Sequence, residues 1–373
     1  MNMSGVIRVL FPEPCSEIDG AVEIFLQVSR DIGPLTVCCA RADKAGADYE
    51  DSVVARVSPD GDGNASFPFP AAEYPHGPLT IRISGGEGEN RDVCRLQLYN
   101  RAGKPFREGL ANAPKPPFVC GMTEVFADDF DDPDLSISTS RGDVRYYCHK
   151  PGGGDFSQIP FTDFESEVNP FSQEGTFLRI RADAEKNSTG LISSTLADGS
   201  GFDAKAPCYF ECRMLCPNAV GSWPAFWLLT NHVAKGSNRI PVDELDTIEA
   251  YGLSDLDHQN QIGYYCTSHR WNQGKRETTD PDPCAFLDMR TFGNRLNWDV
   301  CFHTYGTLIT PEETVYTCDN LPLYRHPTQP VSKTEAFYFM LNLAVGGNGW
   351  PVDLSRYGKI DLWTDFVRVY AAE

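Results

Sequence analysis

The pattern of hydrophobic and polar positions in this chain is that of β-strands separated by turns. Apolar and polar residues alternate in runs such as 175–181 and 209–214, whereas long stretches with helical spacing are scarce. Alternation with a period of two places one face of a strand against a core and the other in solvent. The chain also holds 32 Gly and 27 Pro in 373 residues, which favours many turns. We therefore predict an all-β fold.

The strand-like runs fall into two groups, which predicts two domains. Residues 1–112 are predicted to form a small immunoglobulin-like or fibronectin-like sandwich. Its strand-like runs are 6–11, 21–28, 35–41, 53–57, 79–83 and 94–99. This segment contains no tryptophan, which favours a structural spacer, and a carbohydrate-binding or partner-binding role stays open. Residues 113–121 carry three prolines and are predicted to be a stiff linker to a second domain, residues 122–373.

Four carboxylates fall within the seven positions 243–249, on a segment whose other residues favour strands. Glu244 and Asp246 would share a face of a regular strand, but Glu249 lies five positions from Glu244 and would point away. A one-residue bulge would return Glu249 to that face, with the two glutamate Cα atoms about 13 Å apart. Their carboxyl groups could then approach to about 5–5.5 Å, the separation found in retaining glycosidases. The alternative is that these acids form a solvated strand edge.

Aromatic and apolar segments lie on both sides of the acids. Residues 223–227 read W-P-A-F-W, residues 339–348 form a late apolar stretch, and residues 365–370 read D-F-V-R-V-Y. With these motifs in this order, residues 122–373 resemble glycoside hydrolase family 16. That family comprises retaining endo-glycanases, so the resemblance implies a β-jelly-roll fold and hydrolysis of a polysaccharide.

The family's E-x-D-x-x-E signature is matched by Glu244, Asp246 and Glu249. The resemblance implies that Glu244 is the nucleophile and Glu249 the acid/base, while Asp246 assists Glu244 and tunes its pKa. The spacing of the acids alone identifies the three residues but does not say which glutamate has which role. No cofactor is implied for the reaction.

A sugar-binding set is implied by the same resemblance, because aromatic rings bind the flat apolar faces of sugars. The set consists of Trp223, Trp227, His269, Trp271, Asn342 and Trp350. Core packing is the alternative for the two tryptophans of the W-P-A-F-W strand. Trp271 departs from the family pattern, since Arg270 separates it from His269. His303, in a recurrent family strand, is expected to make a structural hydrogen bond.

Bacterial members of the family often hold a structural calcium ion, whose ligands would correspond to Asp129, Gly175 and Asp365. Oxygen ligands of this kind suit Ca²⁺. The three cysteines 208, 212 and 216 are spaced by four residues, about 13 Å along a strand. That separation is too large for a shared zinc ion, so we expect them to be small core residues.

The formal charge of −20 lies mainly after residue 115. Such a surface repels nucleic acid and anionic membranes, and no run of 18 apolar residues predicts a membrane span. The first twenty residues lack the basic start and apolar run of a signal peptide. An enzyme that degrades polymers is nevertheless expected to be secreted, periplasmic or at the cell surface. The sequence does not indicate an oligomeric state.

The sequence therefore predicts a retaining endo-β-glycanase, and we expect β-1,3-glucan or mixed-linkage β-glucan as the substrate. One alternative is a hydrolase of agar-like or carrageenan-like β-galactans, because Arg270, Lys275 and Arg276 form a basic cluster that could bind sulfate groups. Another is an inactive carbohydrate-binding protein. The presence of both glutamates of the signature argues against that alternative.

Overall fold

The computed structural model describes residues 6–41, 50–106, 108–252, 262–277, 283–292, 297–347 and 350–372. Regular structure in these residues is almost entirely strand, which confirms the all-β prediction. Short 3-10 turns occupy Ala71–Glu73, Gly88–Asn90, Leu110–Asn112 and Met289–Thr291. In the described part of the chain, no helix has the length and apolar character needed to cross a membrane. Residues 253–261, 278–282 and 293–296, and Asn348 of the late apolar motif, lie outside the described residues.

Among the described residues, eight strands lie in the N-terminal part of the chain. They are β1 (Ile7–Phe11), β2 (Ser16–Ile18), β3 (Val22–Val28), β4 (Leu35–Arg41), β5 (Glu50–Val57), β6 (Asn64–Phe69), β7 (Gly77–Gly85) and β8 (Asp92–Asn100).

The remaining strands follow the predicted linker. They are β9 (Thr123–Asp128), β10 (Ile137–Ser138), β11 (Tyr146–Tyr147), β12 (Phe171–Glu174), β13 (Phe177–Asp183), β14 (Leu191–Ser193), β15 (Cys208–Leu215), β16 (Ser222–Thr230), β17 (Val242–Glu249), β18 (Gly263–Asn272), β19 (Lys275–Glu277), β20 (Cys284–Asp288), β21 (His303–Ile309), β22 (Glu313–Cys318), β23 (Leu321–Pro327), β24 (Phe337–Val345) and β25 (Lys359–Ala371).

The N-terminal strands form two sheets, ordered β1-β3-β6 and β2-β8-β7-β4-β5, around one hydrophobic cluster. The alternating pattern predicted six of these strands and missed β2 and β6. Strand β2 has only three residues, and β6 contains Pro68, which a central strand would not tolerate. Because β6 lies at the edge of its sheet, the proline there is accommodated. The immunoglobulin-like assignment and the domain boundaries stay predictions.

The C-terminal strands form two larger sheets. The nine-stranded sheet follows the order β10-β11-β14-β24-β16-β17-β18-β19, with β20 paired to β18. The eight-stranded sheet follows β12-β13-β25-β15-β21-β22-β23, with β9 paired to β25. Apolar side chains from both sheets form one core, including Phe210 and Val367 of the eight-stranded sheet and Phe226 and Leu341 of the nine-stranded sheet. Cys208, Cys212 and Cys216 lie fully buried in this core, as predicted.

The N-terminal sheets pack against the eight-stranded sheet. The Gln97 side chain donates to the backbone O of Asp361 at 2.9 Å and accepts from its N–H at 3.0 Å. Arg95 forms an ion pair with the buried Asp299. An apolar cluster spans the same contact; its members are Tyr99, Phe177, Leu215, Phe302 and Trp363.

The segment around the predicted linker is also attached to this sheet. Gly109 N donates to Asp365 Oδ1 at 2.8 Å, and Arg368 Nη2 donates to the carbonyl of Pro114 at 2.9 Å. Asp365 and Arg368 both belong to β25. The N-terminal sheets and the linker therefore contact the eight-stranded sheet, which leaves the outer face of the nine-stranded sheet for a substrate.

Candidate active site

The wall of the candidate site is built by alternation along β16. Phe226 and Leu228 point into the core between the two large sheets. Ala225 and Trp227 alternate with them and therefore lie on the opposite face, where they belong to a separate cluster with residues of β24. The two tryptophans of the W-P-A-F-W strand therefore lie on the outer face, whereas its phenylalanine lies in the core.

Strand β17 contains the extra residue that the spacing of the acids required. Opposite β16, Ile248 pairs with Phe226 and Asp246 pairs with Trp227, so Thr247 is inserted between two consecutive partners. The pairing with β18 shows the same shift between Asp246 and Glu249. The predicted bulge is therefore present.

The bulge residue faces the core and keeps the acids on the other side. The Thr247 hydroxyl lies 2.7 Å from the Thr307 hydroxyl of the eight-stranded sheet, so its polar group is satisfied across the core. Glu244, Asp246 and Glu249 all line one groove on the outer face. The solvated-edge alternative is therefore excluded by the position of these three side chains.

The groove is open and has a volume of about 820 Å³. Its walls are mainly apolar and aromatic, as expected of a site that binds sugar rings. Besides the three acids, the lining includes Lys150, Phe156, Trp223, Trp227, Leu229, Val233, Ile240, Val242, Trp271, Gln273, Tyr338 and Asn342.

Glu249 is fixed by two hydrogen-bond donors. Trp223 Nε1 donates to Glu249 Oε1 at 3.1 Å, and the Tyr251 hydroxyl donates to the same oxygen at 2.6 Å. Since the described contacts engage Oε1 twice, this carboxyl group is held in a defined orientation in the groove.

Glu244 and Asp246 lie close to His269 of the neighbouring strand. His269 Nε2 is 3.3 Å from Asp246 Oδ2, and one polar atom from each of the three residues lies within 4.8 Å of the others. Glu244 and His269 are also direct cross-strand partners. Asp246 therefore lies between a glutamate and a histidine, where it can influence the charge of both.

The three acids share an environment that favours their protonated forms. Burial, followed by the neighbouring Glu249 carboxylate, raises the pKa of Glu244 to about 7. Burial and both glutamates raise the pKa of Asp246 well above its usual range. Burial also raises the pKa of Glu249, although the hydrogen bonds from Tyr251 and Trp223 oppose this rise. The trio titrates as a coupled group that retains a proton near neutral pH.

Four of the six predicted sugar-binding residues line the groove. The other two, His269 and Trp350, are not among its lining residues. Trp223, Trp227 and Trp271 line the groove. Asn342 also lines the groove, although its residue as a whole is fully buried. Its side chain accepts a hydrogen bond from Trp227 Nε1 at 2.8 Å and donates one to the Trp223 carbonyl at 3.2 Å. It therefore fixes the two tryptophans. Trp350, outside that lining, packs on Trp223 with ring centroids 5.1 Å apart.

Sequence reasoning missed Tyr251, Phe156 and Lys150. Tyr251 had a usable signal, since it lies two positions after Glu249 and would share its face in a continued strand. Phe156 packs edge-to-face on Trp223 and Trp227, at centroid distances of 5.4 and 5.9 Å. It belongs to a loop whose course depends on tertiary contacts, so the local pattern carried no signal for it.

Other described clusters have donor atoms that a metal ion could bind, namely Cys148 with His149 and Asp163, and His303 with Cys318 and Asp319. In both clusters the imidazole already contacts the aspartate. The distances are 2.6 Å for His149 with Asp163 and 2.7 Å for His303 with Asp319. His303 thus makes the structural hydrogen bond that the sequence predicted.

One residue of the predicted calcium site, Asp365, already has partners for both of its oxygens. Asp365 is fully buried, and its two oxygens are engaged by the Arg213 guanidinium and by Gly109 N–H. The Gly175 carbonyl accepts from the Gln173 side chain. A guanidinium therefore supplies the positive charge that a cation would bring to Asp365.

Two known proteins with similar sequences are named as endo-1,3-1,4-beta-glycanases. No protein-family model matches the chain. It is 27% identical over 343 residues to the endo-1,3-1,4-beta-glycanase EglC of Rhizobium meliloti, an alignment that covers 88% of this chain and 66% of the relative. It is 30% identical over 331 residues to the endo-1,3-1,4-beta-glycanase ExsH of the same organism, covering 84% of this chain and 64% of the relative. The chain thus spans slightly less than two thirds of these relatives' lengths.

The fold is also that of a solved glycoside hydrolase family 16 endo-glucanase from Bacteroides ovatus. The TM-score is 0.50 at 19% identity, over 66% of this chain and 99% of that one. A likeness at this identity shows the fold, and it confirms the predicted jelly roll. The chain is therefore similar in sequence to two endo-glycanases over more than four fifths of its length, and similar in fold to a solved family 16 endo-glucanase.

Proposed function

We propose that this chain is a retaining endo-β-glucanase that hydrolyses internal bonds of a β-1,3-glucan or mixed-linkage β-glucan. One observation carries the proposal: the bulge in β17 brings Glu244 and Glu249 to the same face, inside one open groove. Two carboxyl groups on either side of a sugar carbon are what double displacement requires.

The roles of the acids follow the family signature. In the first step the Glu244 carboxylate attacks the anomeric carbon, while protonated Glu249 donates its proton to the departing glycosidic oxygen. In the second step Glu249 accepts a proton from water, and that water displaces Glu244 from the sugar. The configuration at the anomeric carbon is thereby retained.

Asp246 and His269 serve the nucleophile in this scheme. A protonated Asp246 beside Glu244 adds no negative charge, and it can stabilise the Glu244 carboxylate by donating a hydrogen bond. His269 Nε2 lies 3.3 Å from Asp246 Oδ2 and helps to keep that side chain in place. We expect the substrate to shift the shared proton toward Glu249, so that Glu244 becomes the ionised member.

The substrate class is supported by the shape and chemistry of the groove. Its volume of about 820 Å³ accommodates sugar rings, and its aromatic walls match the apolar faces of glucose. The two Rhizobium relatives are named for action on 1,3-1,4-beta-linked polymers. We further propose that the enzyme acts outside the cytoplasm, where such polymers occur.

Azide products test the two glutamate roles separately. Glu244→Ala and Glu249→Ala would each be given a β-glucoside with a good leaving group, together with sodium azide. If Glu244 is the nucleophile, azide attacks the substrate directly and yields the α-glycosyl azide. If Glu249 is the acid/base, azide attacks the glycosyl-enzyme and yields the β-glycosyl azide. The opposite products would reverse the assignment, and absence of rescue in both variants would contradict the mechanism.

A panel of laminarin, lichenan, agarose, carrageenan and xyloglucan, with product size as the readout, tests the substrate. Short oligosaccharides from laminarin or lichenan are expected. The galactan alternative rests on Arg270, Lys275 and Arg276, none of which is among the lining residues of the groove, and Arg270 lies 3.3 Å from Glu277. Cleavage of galactans alone would replace the glucanase proposal, and binding without cleavage would favour the carbohydrate-binding alternative.

A further inference from the structure

We propose that Tyr251 is a positioning residue that, with Trp223, clamps Oε1 of Glu249, so that Oε2 is the atom that gives and takes the catalytic proton. This inference rests on the proposed role of Glu249 as acid/base. It adds a residue outside the three-acid signature, and it assigns the proton to one oxygen atom.

The clamp is asymmetric. Tyr251 donates to Oε1 at 2.6 Å and Trp223 Nε1 donates to the same atom at 3.1 Å. A carboxyl oxygen that accepts two hydrogen bonds has its lone pairs occupied, so a proton on the group resides on the other oxygen. Oε2 is therefore the oxygen that can carry the O–H bond toward a glycosidic oxygen.

The backbone places Tyr251 beside Glu249 without strain. Residues two apart in extended backbone share a face, and the pairing with β16 continues beyond the end of β17. Ala250 N donates to the carbonyl of Pro224 at 3.1 Å, and Gly252 N donates to that of Ser222 at 2.9 Å. Both residues that clamp Glu249 therefore lie on neighbouring paired segments.

Three aromatic rings hold the tyrosine in this position. Its ring meets Trp350 edge-on at 4.5 Å between centroids, Trp223 at 5.7 Å and Tyr265 at 5.8 Å. Packing on these sides fixes the ring, so the hydroxyl cannot leave Oε1 without moving a neighbour. Trp350, which contacts both Tyr251 and Trp223, thus supports the acid/base through Tyr251.

The clamp acts differently on the two forms of Glu249. When Oε2–H passes its proton to the departing oxygen, the C–O bond of the sugar breaks and a carboxylate remains. Two donors on Oε1 stabilise that carboxylate, because hydrogen bonds to an ionised group are the stronger ones. Removing one donor should make Glu249 a weaker acid and slow the first step.

Tyr251→Phe tests the clamp, with Tyr147→Phe, outside the groove lining, as the matched control. The upper pKa of the kcat/KM profile should rise by about one pH unit, because a carboxylate that loses a donor holds its proton more tightly. On polysaccharide, kcat should fall about tenfold, a fraction of the contribution of general acid catalysis. On a dinitrophenyl glycoside, whose leaving group needs no proton, formation of the glycosyl-enzyme should be unchanged.

Trp223→Phe removes the other donor and keeps an aromatic ring, so it should move the upper pKa in the same direction. It provides the readout if the tyrosine variant does not fold. Unchanged pH profiles in the folded variants would overturn the clamp. An equal loss on polysaccharide and on the activated glycoside would also overturn it, since that pattern indicates general damage. Neither result would affect the azide products that test the proposed function.

Discussion

Two buried aspartates show how differently this protein uses the same side chain. Asp246 lies in the groove and Asp299 at the contact between the N-terminal sheets and the eight-stranded sheet, with exposed fractions of 4% and 2%. Asp299 contacts the guanidinium of Arg95 and accepts from Asn218 at 2.9 Å. Asp246 lies instead among other carboxyl groups.

The surroundings decide the sign of the pKa shift. Burial acts to raise the pKa of Asp299, but the charge of Arg95, the hydrogen bond from Asn218 and the charge of Arg82 outweigh it, and the pKa falls. At Asp246 burial and both glutamates act together, so the pKa rises well above its usual range. Burial alone therefore does not distinguish a structural acid from a functional one.

The two sites have opposite effects on the free energy of folding. A buried acid with a guanidinium partner contributes to attachment of the N-terminal sheets. The groove acids raise one another's pKa, which costs stability but keeps a proton available near neutral pH. Raised pKa values among neighbouring acids are typical of a site that transfers protons.

The largest expected effect follows from removing a groove acid. Glu244→Ala should lower kcat on polysaccharide by about 10⁴-fold, as for loss of a nucleophile, while the melting temperature stays within a few degrees of the parent. Hydrolysis rates and thermal unfolding of the same preparation provide the check. A variant that keeps a tenth of the parent activity would show that Glu244 does not form the covalent bond.

Removal of a cation at the other aspartate should give the reverse pattern. Arg95→Met leaves Asp299 buried without its main partner, which should lower the free energy of unfolding by about 3 kcal/mol and leave kcat at 25 °C unchanged. Arg30→Met, at an exposed position, is the control and should change stability by less than about 0.5 kcal/mol. A loss of activity in folded Arg95→Met would mean that the interface acts on the groove.

The pH dependence of stability should differ in sign between the two sites. The folded-state pKa of Glu244, about 7, is above its unfolded value, so the parent loses stability as pH rises from about 4.3 toward 7. Glu244→Gln removes this titration and should gain about 2–3 kcal/mol over the parent between pH 5 and pH 8.

Asp299→Asn is the opposite case. The folded-state pKa of Asp299 is below its unfolded value, so its contribution is present above that unfolded value and is lost as the pH falls through the folded one. The deficit of Asp299→Asn should therefore shrink below about pH 4. Urea unfolding at several pH values measures how the stability difference between each variant and the parent changes with pH. The same pH dependence for both variants would contradict the opposite pKa shifts of Glu244 and Asp299.

The local pattern predicted what depends on local geometry. Alternation gave the strands, and the five-residue separation of Glu244 and Glu249 required the bulge that β17 contains. The pattern could not show that Thr247 is the extra residue, because its hydroxyl is satisfied by Thr307, sixty positions away. Nor could it predict β6, where a proline is tolerated only because the strand lies at an edge.

Contacts between distant segments were beyond the pattern for the same reason. Asp365 accepts from Gly109, 256 positions earlier, and pairs with Arg213, so its surroundings form only when the sheet and the linker meet. The resemblance assigned that aspartate to calcium because the family motif contains it. The motif alone does not show whether a calcium ion or a guanidinium group lies next to this aspartate.

The smallest expected effect concerns calcium. Because the Arg213 guanidinium and the Gly109 N–H already engage both oxygens of the buried Asp365, an ion could bind there only by displacing a charged partner. Millimolar CaCl₂ or EDTA should therefore leave the melting temperature within about 1 °C of its value in buffer. Arg213→Met frees the carboxylate and should lower the melting temperature, and in that variant calcium should restore part of the loss. A rise of several degrees on adding calcium to the parent would show that the guanidinium is not a substitute for the ion.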